Sequence, residues 1–283
     1  MTNSNYHESV MTREVIEKLH INNQAKYIDA TVGTAGHTQA MVKAGGEVLG
    51  IEADPEMLAI AKERIGENKN CKLVNGNFID IDTIAKENGF TKVSGILFDL
   101  GVSNLHLKDK SRGFSFENPE AELDMRLNKN IQGVKASDFL NLLRRDQLIE
   151  LFTQTLDLGA SRWLSSRVIS AREEKRIETV EDLLEICKGL KTGKKKLYVA
   201  TLPFLALRIA VNSELDNFKN ALPKAYELLE EGGKLIILTF HSKEEEIVNE
   251  IFGKKGETLT PSNEEVDRNQ RARSAKMRVL EKK

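Results

Sequence analysis

The sequence predicts an α/β fold: an open, largely parallel sheet whose chain is interrupted by a long helical insert before it returns to the sheet. Three observations carry this expectation. Between residues 26 and 99 short apolar runs alternate with helical stretches, for roughly a hundred residues afterwards the rhythm is helical, and residues 232–240 (GGKLIILTF) read again as a strand. A chain of 283 residues suits one large α/β domain with a sizeable insertion, or two domains. The expected division is 1–104 with 206–283 for the sheet domain and 105–205 for a mainly helical insert, cast as the substrate-recognition domain.

The elements follow in order. YIDATV is a first strand, followed by a turn and a helix to Ala44; VLGIE is a second, with a helix after Pro55; CKLV and VSGILFDL are the third and fourth. Aliphatic and β-branched runs without clean alternation suit parallel strands buried on both faces. Each strand ends in a polar residue, at the sheet edge where open α/β folds bind ligands. In the insert, ASDFLNLLRRDQLIELF, SRWLSSRVISARE and VEDLLEICKGL carry helical periodicity, and Lys194-Lys195-Lys196 reads as a loop.

Composition narrows the function classes. Forty-two basic and 43 acidic residues, 40% hydrophobic residues, 5 Pro and 19 Gly exclude collagen-like, low-complexity and wholly disordered chains. The longest nearly apolar run, 197–211, is broken by Thr201, Pro203 and Arg208 and falls short of the ~20 residues of a membrane helix. Two cysteines make no disulfide framework and the polar start has no apolar signal core, so a cytoplasmic location is expected. The five histidines (His7, His20, His37, His106 and His241) lack paired metal spacing, and no metal is expected. Net charge is −1, yet residues 268–283 hold seven bases against Glu281 alone, and residues 105–211 hold nineteen bases against fifteen acids.

The loop Asp29-Ala30-Thr31-Val32-Gly33-Thr34-Ala35-Gly36-His37 follows the first strand and opens a helix. About twenty residues on, Glu52 at the second strand end can accept hydrogen bonds from both hydroxyls of a ribose. The loop lacks the G-x-G-x-x-G of pyrophosphate binders, and the acid disfavours a phosphorylated ribose. S-adenosylmethionine fits better than a dinucleotide: its amino-acid tail can meet amides at a helix start, and its sulfonium tolerates nearby carboxylates. Asn75-Gly76-Asn77-Phe78 offers polar contacts and an aromatic face for adenine. Singly, Gly33 and Gly36 suit a turn, Glu52 a solvated position and Phe78 a core; their order and spacing favour the ligand.

Beyond the fourth strand come Asp99-Leu100-Gly101-Val102-Ser103, Arg112-Gly113-Phe114-Ser115-Phe116 and Leu123-Asp124-Met125-Arg126. With His7, the loop through His37, LRIAVNSEL from Leu207, Phe240-His241-Ser242 and NQRARSAK from Asn269, nearly the whole chain resembles the bacterial 16S ribosomal RNA cytosine-N4-methyltransferase family, RsmH or MraW. The resemblance implies a Rossmann-like S-adenosylmethionine-dependent methyltransferase sheet with an inserted helical domain. It also implies methyl transfer to the exocyclic N4 of a decoding-centre cytidine in 16S rRNA of the small ribosomal subunit. Carried over by motif, the cofactor contacts are Ala35, Gly36, His37, Glu52, Phe78, Asp99 and His106, to which the reading of the first loop adds Gly33. Ala35 stands where a glycine is usual, Glu52 for Asp, His106 for Gln and Asn104 for Ser. LGAS at 158–161 replaces a Gly-Glu-Glu signature, and LPFL at 202–205 replaces a basic-x-Phe-Gln stretch.

Cytosine's amine is a weak nucleophile because its lone pair is delocalised into the ring, so positioning and a hydrogen-bond acceptor must carry the acceleration. Asp99 is that candidate, alongside its cofactor role, and His241 at the end of a late strand is the second catalytic candidate. Leu100-Gly101-Val102 supplies no aromatic platform, so Phe114 and Phe116 are candidates to stack the base, with core packing as their alternative. Arg112 is a candidate phosphate contact, with a local clamp on Glu117 or Asp124 as its alternative, Arg126 reads better as such a clamp, and Arg271 and Arg273 are candidate RNA contacts in the basic C-terminal run. Asn212 near Glu214 is a candidate for organising the site from behind. Two rivals stay open: a non-catalytic assembly factor of the small subunit that binds rRNA, and a methyltransferase for another amine acceptor. Whether the chain works as a homodimer is also open.

Overall fold

In the computed structural model, residues 9–192 and 197–283 are described. His7 and the Lys194-Lys195-Lys196 run lie outside them. The chain packs as two units, 1–102 with 215–283, and 103–214. The breaks fall at 102/103 and 214/215 rather than at 104/105 and 205/206. One helix runs unbroken from Thr201 to Asn212, and Arg208 just inside its end pairs with Glu214 at 2.9 Å, which carries the second unit past residue 205.

The first unit opens with α1 (Thr12–Leu19) and then alternates β1 (Lys26–Asp29), α2 (Gly36–Lys43), β2 (Glu47–Glu52), α3 (Pro55–Ile65), β3 (Cys71–Asn75), α4 (Ile81–Glu87) and β4 (Val93–Asp99). All four predicted strands are present and parallel. Local chemistry sets the boundaries. Asp54 accepts from the amides of Glu56 and Met57 and Pro55 fills the first helical position, so α3 starts immediately after β2.

The second unit contains α5 (Asn104–Lys108), α6 (Ala136–Leu142), α7 (Arg145–Thr153), α8 (Leu158–Glu174), α9 (Val180–Cys187) and α10 (Thr201–Asn212). The run expected as one helix from Ala136 is split, because Leu143 and Arg144 are extended and the Gln147 side chain accepts the Arg144 amide, capping α7 afresh. Asn212 is the keystone of this unit. Its buried side chain accepts from the Leu127 amide and from Gln132 Nε2 and donates to the carbonyls of Met125 and Arg208, tying the 125–132 loop to the end of α10. Asn212→Ala strands these buried groups, and we expect it to lower stability in urea by about 2–4 kcal/mol, where a solvent-exposed asparagine would cost a few tenths.

The chain returns through α11 (Glu214–Leu228), β5 (Leu229–Thr239), α12 (Ser242–Phe252), β6 (Glu257–Leu259), α13 (Asn263–Arg268) and β7 (Lys276–Glu281). The strand expected from 232 begins earlier, at Leu229; its register against β4 slips between Val93 and Gly95 to absorb the extra residues. Strand order is β3-β2-β1-β4-β5-β7-β6, with β7 antiparallel to both neighbours.

Period-two alternation divides the core. Ile28, Leu49, Ile51, Ile96 and Phe98 face one side with Phe218 and Leu222 of α11, while Tyr27, Val48 and Leu97 face the other with Val15, Leu19 and Met41. No helix among the described residues is long and apolar enough to cross a membrane.

The basic C-terminal run is not a solvated tail. Met277 to Leu280 are buried in β7, and Arg278 is turned inward, where it pairs with Glu245 and donates to Asn249 and to the carbonyls of Gly253 and Lys255.

Candidate active site

In this strand order the direction in which successive strands are added to the sheet reverses between the parallel neighbours β1 and β4, so their carboxyl ends, Asp29 and Asp99, flank the point where open α/β sheets accommodate ligands. Asp29 is fully buried. It accepts from Thr38 Oγ1 at 2.6 Å and from the Thr31 amide at 3.1 Å, while Thr31 Oγ1 accepts the Asp99 amide at 2.6 Å. The β1 loop and the start of α2 are thereby pinned to the tip of β4. Burial raises the Asp29 pKa above the usual carboxylate range, with the Thr38 hydroxyl pulling the other way.

His37, in the first turn of α2, is also buried, and its Nε2 lies 3.4 Å from Asp99 Oδ2, an ion-pair contact rather than an aligned hydrogen bond. Burial alone pulls the imidazole pKa down; the Asp99 carboxylate, with Asp29 and Glu265 behind it, outweighs burial and the net movement is up. Asp99 Oδ1 accepts no hydrogen bond from any described residue, although it is shielded from solvent. A buried, unpartnered carboxylate oxygen at a strand tip is built to receive a donor from outside the chain.

Glu52 closes the second strand. Its carboxylate accepts the Gly33 amide at 2.7 Å and the Asp54 amide at 2.8 Å, holding the β1 loop against the end of β2. Two of roughly four acceptor positions are thereby taken, and the rest suit a pair of hydroxyls. Burial pushes the Glu52 carboxyl up to about 7 despite the two amides that favour its charge. The loop between them uses left-handed backbone at Gly33 (φ 54°) and at Ala35 (φ 63°). Left-handed geometry costs a non-glycine residue about 1 kcal/mol or more. The Ala35 methyl is buried with Val32 and Ala61, which returns about 0.8 kcal/mol, so alanine is tolerated here in place of glycine. At Gly36 a Cβ would lie 2.0 Å from Ser9 Oγ, so a side chain there would have to turn the serine hydroxyl aside.

Phe78 opens a single turn of 3-10 helix capped by Asn77, and its half-buried ring meets Phe98 edge-on at 5.6 Å. Arg64 donates to the Thr34 carbonyl at 3.0 Å. The first unit thus brings together Gly33, Ala35, Gly36, His37, Glu52 and Asp99 around the β1 loop, with Phe78 following the neighbouring β3 end.

The remaining candidates fall into different surroundings. His241 precedes α12, where Glu244 Oε1 lies 3.1 Å from its Nε2 and Glu244 Oε2 accepts the amides of Phe240 and His241. That arrangement is a helix cap. Arg271 donates to the Val102 carbonyl at 2.9 Å, and Arg273 is exposed. In the second unit, His106 is buried, its Nδ1 accepts the Ser103 amide at 3.0 Å, and it packs on Phe114 at 5.2 Å. The expectation that Arg112 meets a phosphate is corrected: the residue is buried, and its guanidinium donates to the carbonyls of Arg126 and Leu127 at 2.8 and 3.0 Å. Phe114 is buried and Phe116 is exposed beside Tyr198 and Phe204. Arg126 forms the clamp, gripping both oxygens of Asp124 at 2.7 and 2.9 Å.

Sequence reasoning placed Asp29 and Thr31 in the first loop without giving either a role and did not reach Thr38, although these three organise the β1–β4 edge. The signal available was a strand-terminal acid followed by threonines at i+2 and i+9, a pattern whose contacts depend on how α2 turns back over the strand.

Among the described residues, no three His, Cys, Asp or Glu side chains gather to hold a metal ion. The model of the MraW methylase family matches residues 4–259. The chain is similar to proteins named ribosomal RNA small subunit methyltransferase H. That of Dictyoglomus thermophilum is 36% identical, over 98% of this chain and 97% of the relative. That of Coprothermobacter proteolyticus is 36% identical, over 100% and 98%. That of Thermosipho africanus is 35% identical, over 98% and 97%.

Proposed function

The chain belongs to the MraW methylase family, and from that premise we propose that it transfers a methyl group from S-adenosylmethionine to the exocyclic N4 of a cytidine in the decoding centre of 16S rRNA, within the small ribosomal subunit. The observation that carries the reading is the unpartnered Asp99 Oδ1 at the β1–β4 switch point, beside a buried histidine and below a glycine-containing loop. The residues present fit the cofactor. Glu52 retains acceptor positions for ribose hydroxyls, the left-handed turn at Gly33 and Ala35 leads into the start of α2, where a carboxylate tail suits the positive end of the helix, and Phe78 is the candidate for the adenine. When bound, S-adenosylmethionine supplies a methyl group on positively charged sulfur.

The rest is the work of this chain's side chains. Asp99 accepts a hydrogen from the cytosine amine, which raises electron density on nitrogen and stabilises the positive charge that grows there as the new bond forms. His37, held by Asp99 Oδ2, fixes the direction in which Oδ1 points. Asp29, Thr31 and Thr38 keep the two strand tips in register. His241, as a helix cap, serves the site by holding the end of β5 in shape, and Arg273 contributes charge toward RNA phosphates.

Acidity supplies one expected outcome. The folded protein holds the Glu52 proton up to about pH 7, whereas an unfolded glutamate loses it near 4.5. Between those values the folded state binds more protons than the unfolded one, so this group's contribution to stability falls as pH rises from about 4.5 to about 7. An acceptor for ribose hydroxyls works best ionised, so affinity for S-adenosylhomocysteine should rise as pH passes through about 7 and then level off. Calorimetry across pH 5.5–8.5 reads this, and Glu52→Gln should flatten the profile.

The function itself is tested by incubating the protein with undermodified small subunits and labelled cofactor, then locating the label by nucleoside mass spectrometry. N4-methylated cytidine in 16S rRNA is the expected product. Cofactor binding with no label in RNA would favour an assembly factor, and label in another acceptor would favour a different methyltransferase.

A further inference from the structure

From the outer face of α8 we infer a single-stranded RNA contact surface, on which one nucleobase stacks on Trp163 while Arg162, Arg167 and Arg145 meet the flanking phosphates. This rests on the reading that the substrate is ribosomal RNA, and it assigns part of the recognition to specific residues of the second unit.

The face is built by helical spacing. From Leu158 to Ala171 the helix carries Arg162 and Arg167 and no acid. Trp163 and Arg167, four apart, share one side, and the Arg167 guanidinium sits over the indole at 5.8 Å. Trp163, the chain's single tryptophan, remains 38% exposed, and its six-membered ring lies near Gly189, where no side chain stands over it. On the adjoining helix, Arg145 reaches across to Ser166 Oγ with two nitrogens, at 3.2 and 3.0 Å. A hydroxyl neutralises none of its charge. Among the described residues none of these three arginines pairs with a carboxylate, whereas neighbouring Arg144 is matched by Asp146 at 3.0 Å.

A protein partner with an acidic groove would also welcome the charge. The exposed aromatic ring with Arg167 over it, among arginines that no carboxylate of the described residues neutralises, favours RNA, because every base has a face to stack and every linkage carries a phosphate. A single tryptophan also makes the surface self-reporting, since a base stacked on the indole quenches its fluorescence.

The test titrates the full-length protein with deproteinised 16S rRNA at several salt concentrations, following intrinsic fluorescence. Expected are saturable quenching and an affinity that falls as salt rises. In Arg162→Glu/Arg167→Glu, affinity should fall about tenfold or more, with a salt slope shallower by about two. Trp163→Ala should lose about fivefold or more in affinity measured by filter retention, and Trp163→Phe should retain most of it. S-adenosylhomocysteine affinity and circular dichroism should match the parent in all three. Unchanged RNA affinity and salt slope in the folded arginine variant would overturn the proposal. So would quenching by intact subunits but not by the naked RNA, which would assign the face to a ribosomal protein. Binding and quenching without any methyl transfer would leave this surface standing and overturn the proposed activity instead; methyl transfer with an arginine variant indistinguishable from the parent would do the reverse.

Discussion

Asp99→Asn should lower the rate of methyl transfer by about a hundredfold or more while the protein stays folded. The substitution keeps the shape of the side chain, and the Asp99 amide still donates to Thr31 Oγ1, so the β1–β4 edge persists. What disappears is the negative charge. Loss of a positioned acceptor or of electrostatic stabilisation in a transition state typically costs between about a hundredfold and ten thousandfold. The asparagine amide could present its NH2 to the substrate amine, donor against donor, which is worse than simple neutralisation. Separating kcat from KM tells the two roles of Asp99 apart. A fall confined to kcat places the charge at the reacting amine, and a matching fall in cofactor affinity makes Asp99 a cofactor ligand. Retention of parental turnover would remove Asp99 from the chemistry altogether.

Glu52→Ala should weaken S-adenosylhomocysteine binding by about a hundredfold. Two hydrogen bonds from ribose hydroxyls to a carboxylate contribute roughly 3 kcal/mol together, which is about that factor. The same substitution frees the amides of Gly33 and Asp54, so the β1 loop loosens and part of the effect reaches the cofactor through the backbone. Glu52→Gln separates the contributions: its amide oxygen can still accept one backbone bond, so it should recover loop order and only part of the affinity. Parental affinity in Glu52→Ala would mean that the ribose does not meet this strand end.

The sheet was legible in the sequence because its physics is local and repetitive. Runs such as VLGIE and VSGILFDL are apolar on both faces, which only parallel strands between helical layers require, and the acids that end them fall at the edge where function concentrates. Contacts set by distant segments were not legible. Arg112 reads equally as a phosphate contact or as a local clamp on Glu117 or Asp124; its burial against the carbonyls of Arg126 and Leu127 depends on a loop closing fourteen residues later, a closure that leaves no periodic mark. The basic C-terminal run hid a strand, because Met277, Arg278, Val279 and Leu280 are all buried and the arginine interrupts the apolar run it belongs to. Its charge is compensated by Glu245 and by carbonyls from a separate turn. Asn212 reads in the sequence as a residue organising the site from behind; that it instead ties the 125–132 loop to α10 through four partners is visible only in three dimensions.

The claim on which the whole account depends is that the β1–β4 edge of the first unit holds the sulfonium donor. Isothermal titration of the folded protein with S-adenosylmethionine, and separately with its demethylated product, tests that most directly. The account predicts a single saturable site for each, weakened in Glu52→Ala. Absence of heat with both ligands across temperatures, in protein whose circular dichroism shows the α/β fold intact, would contradict it.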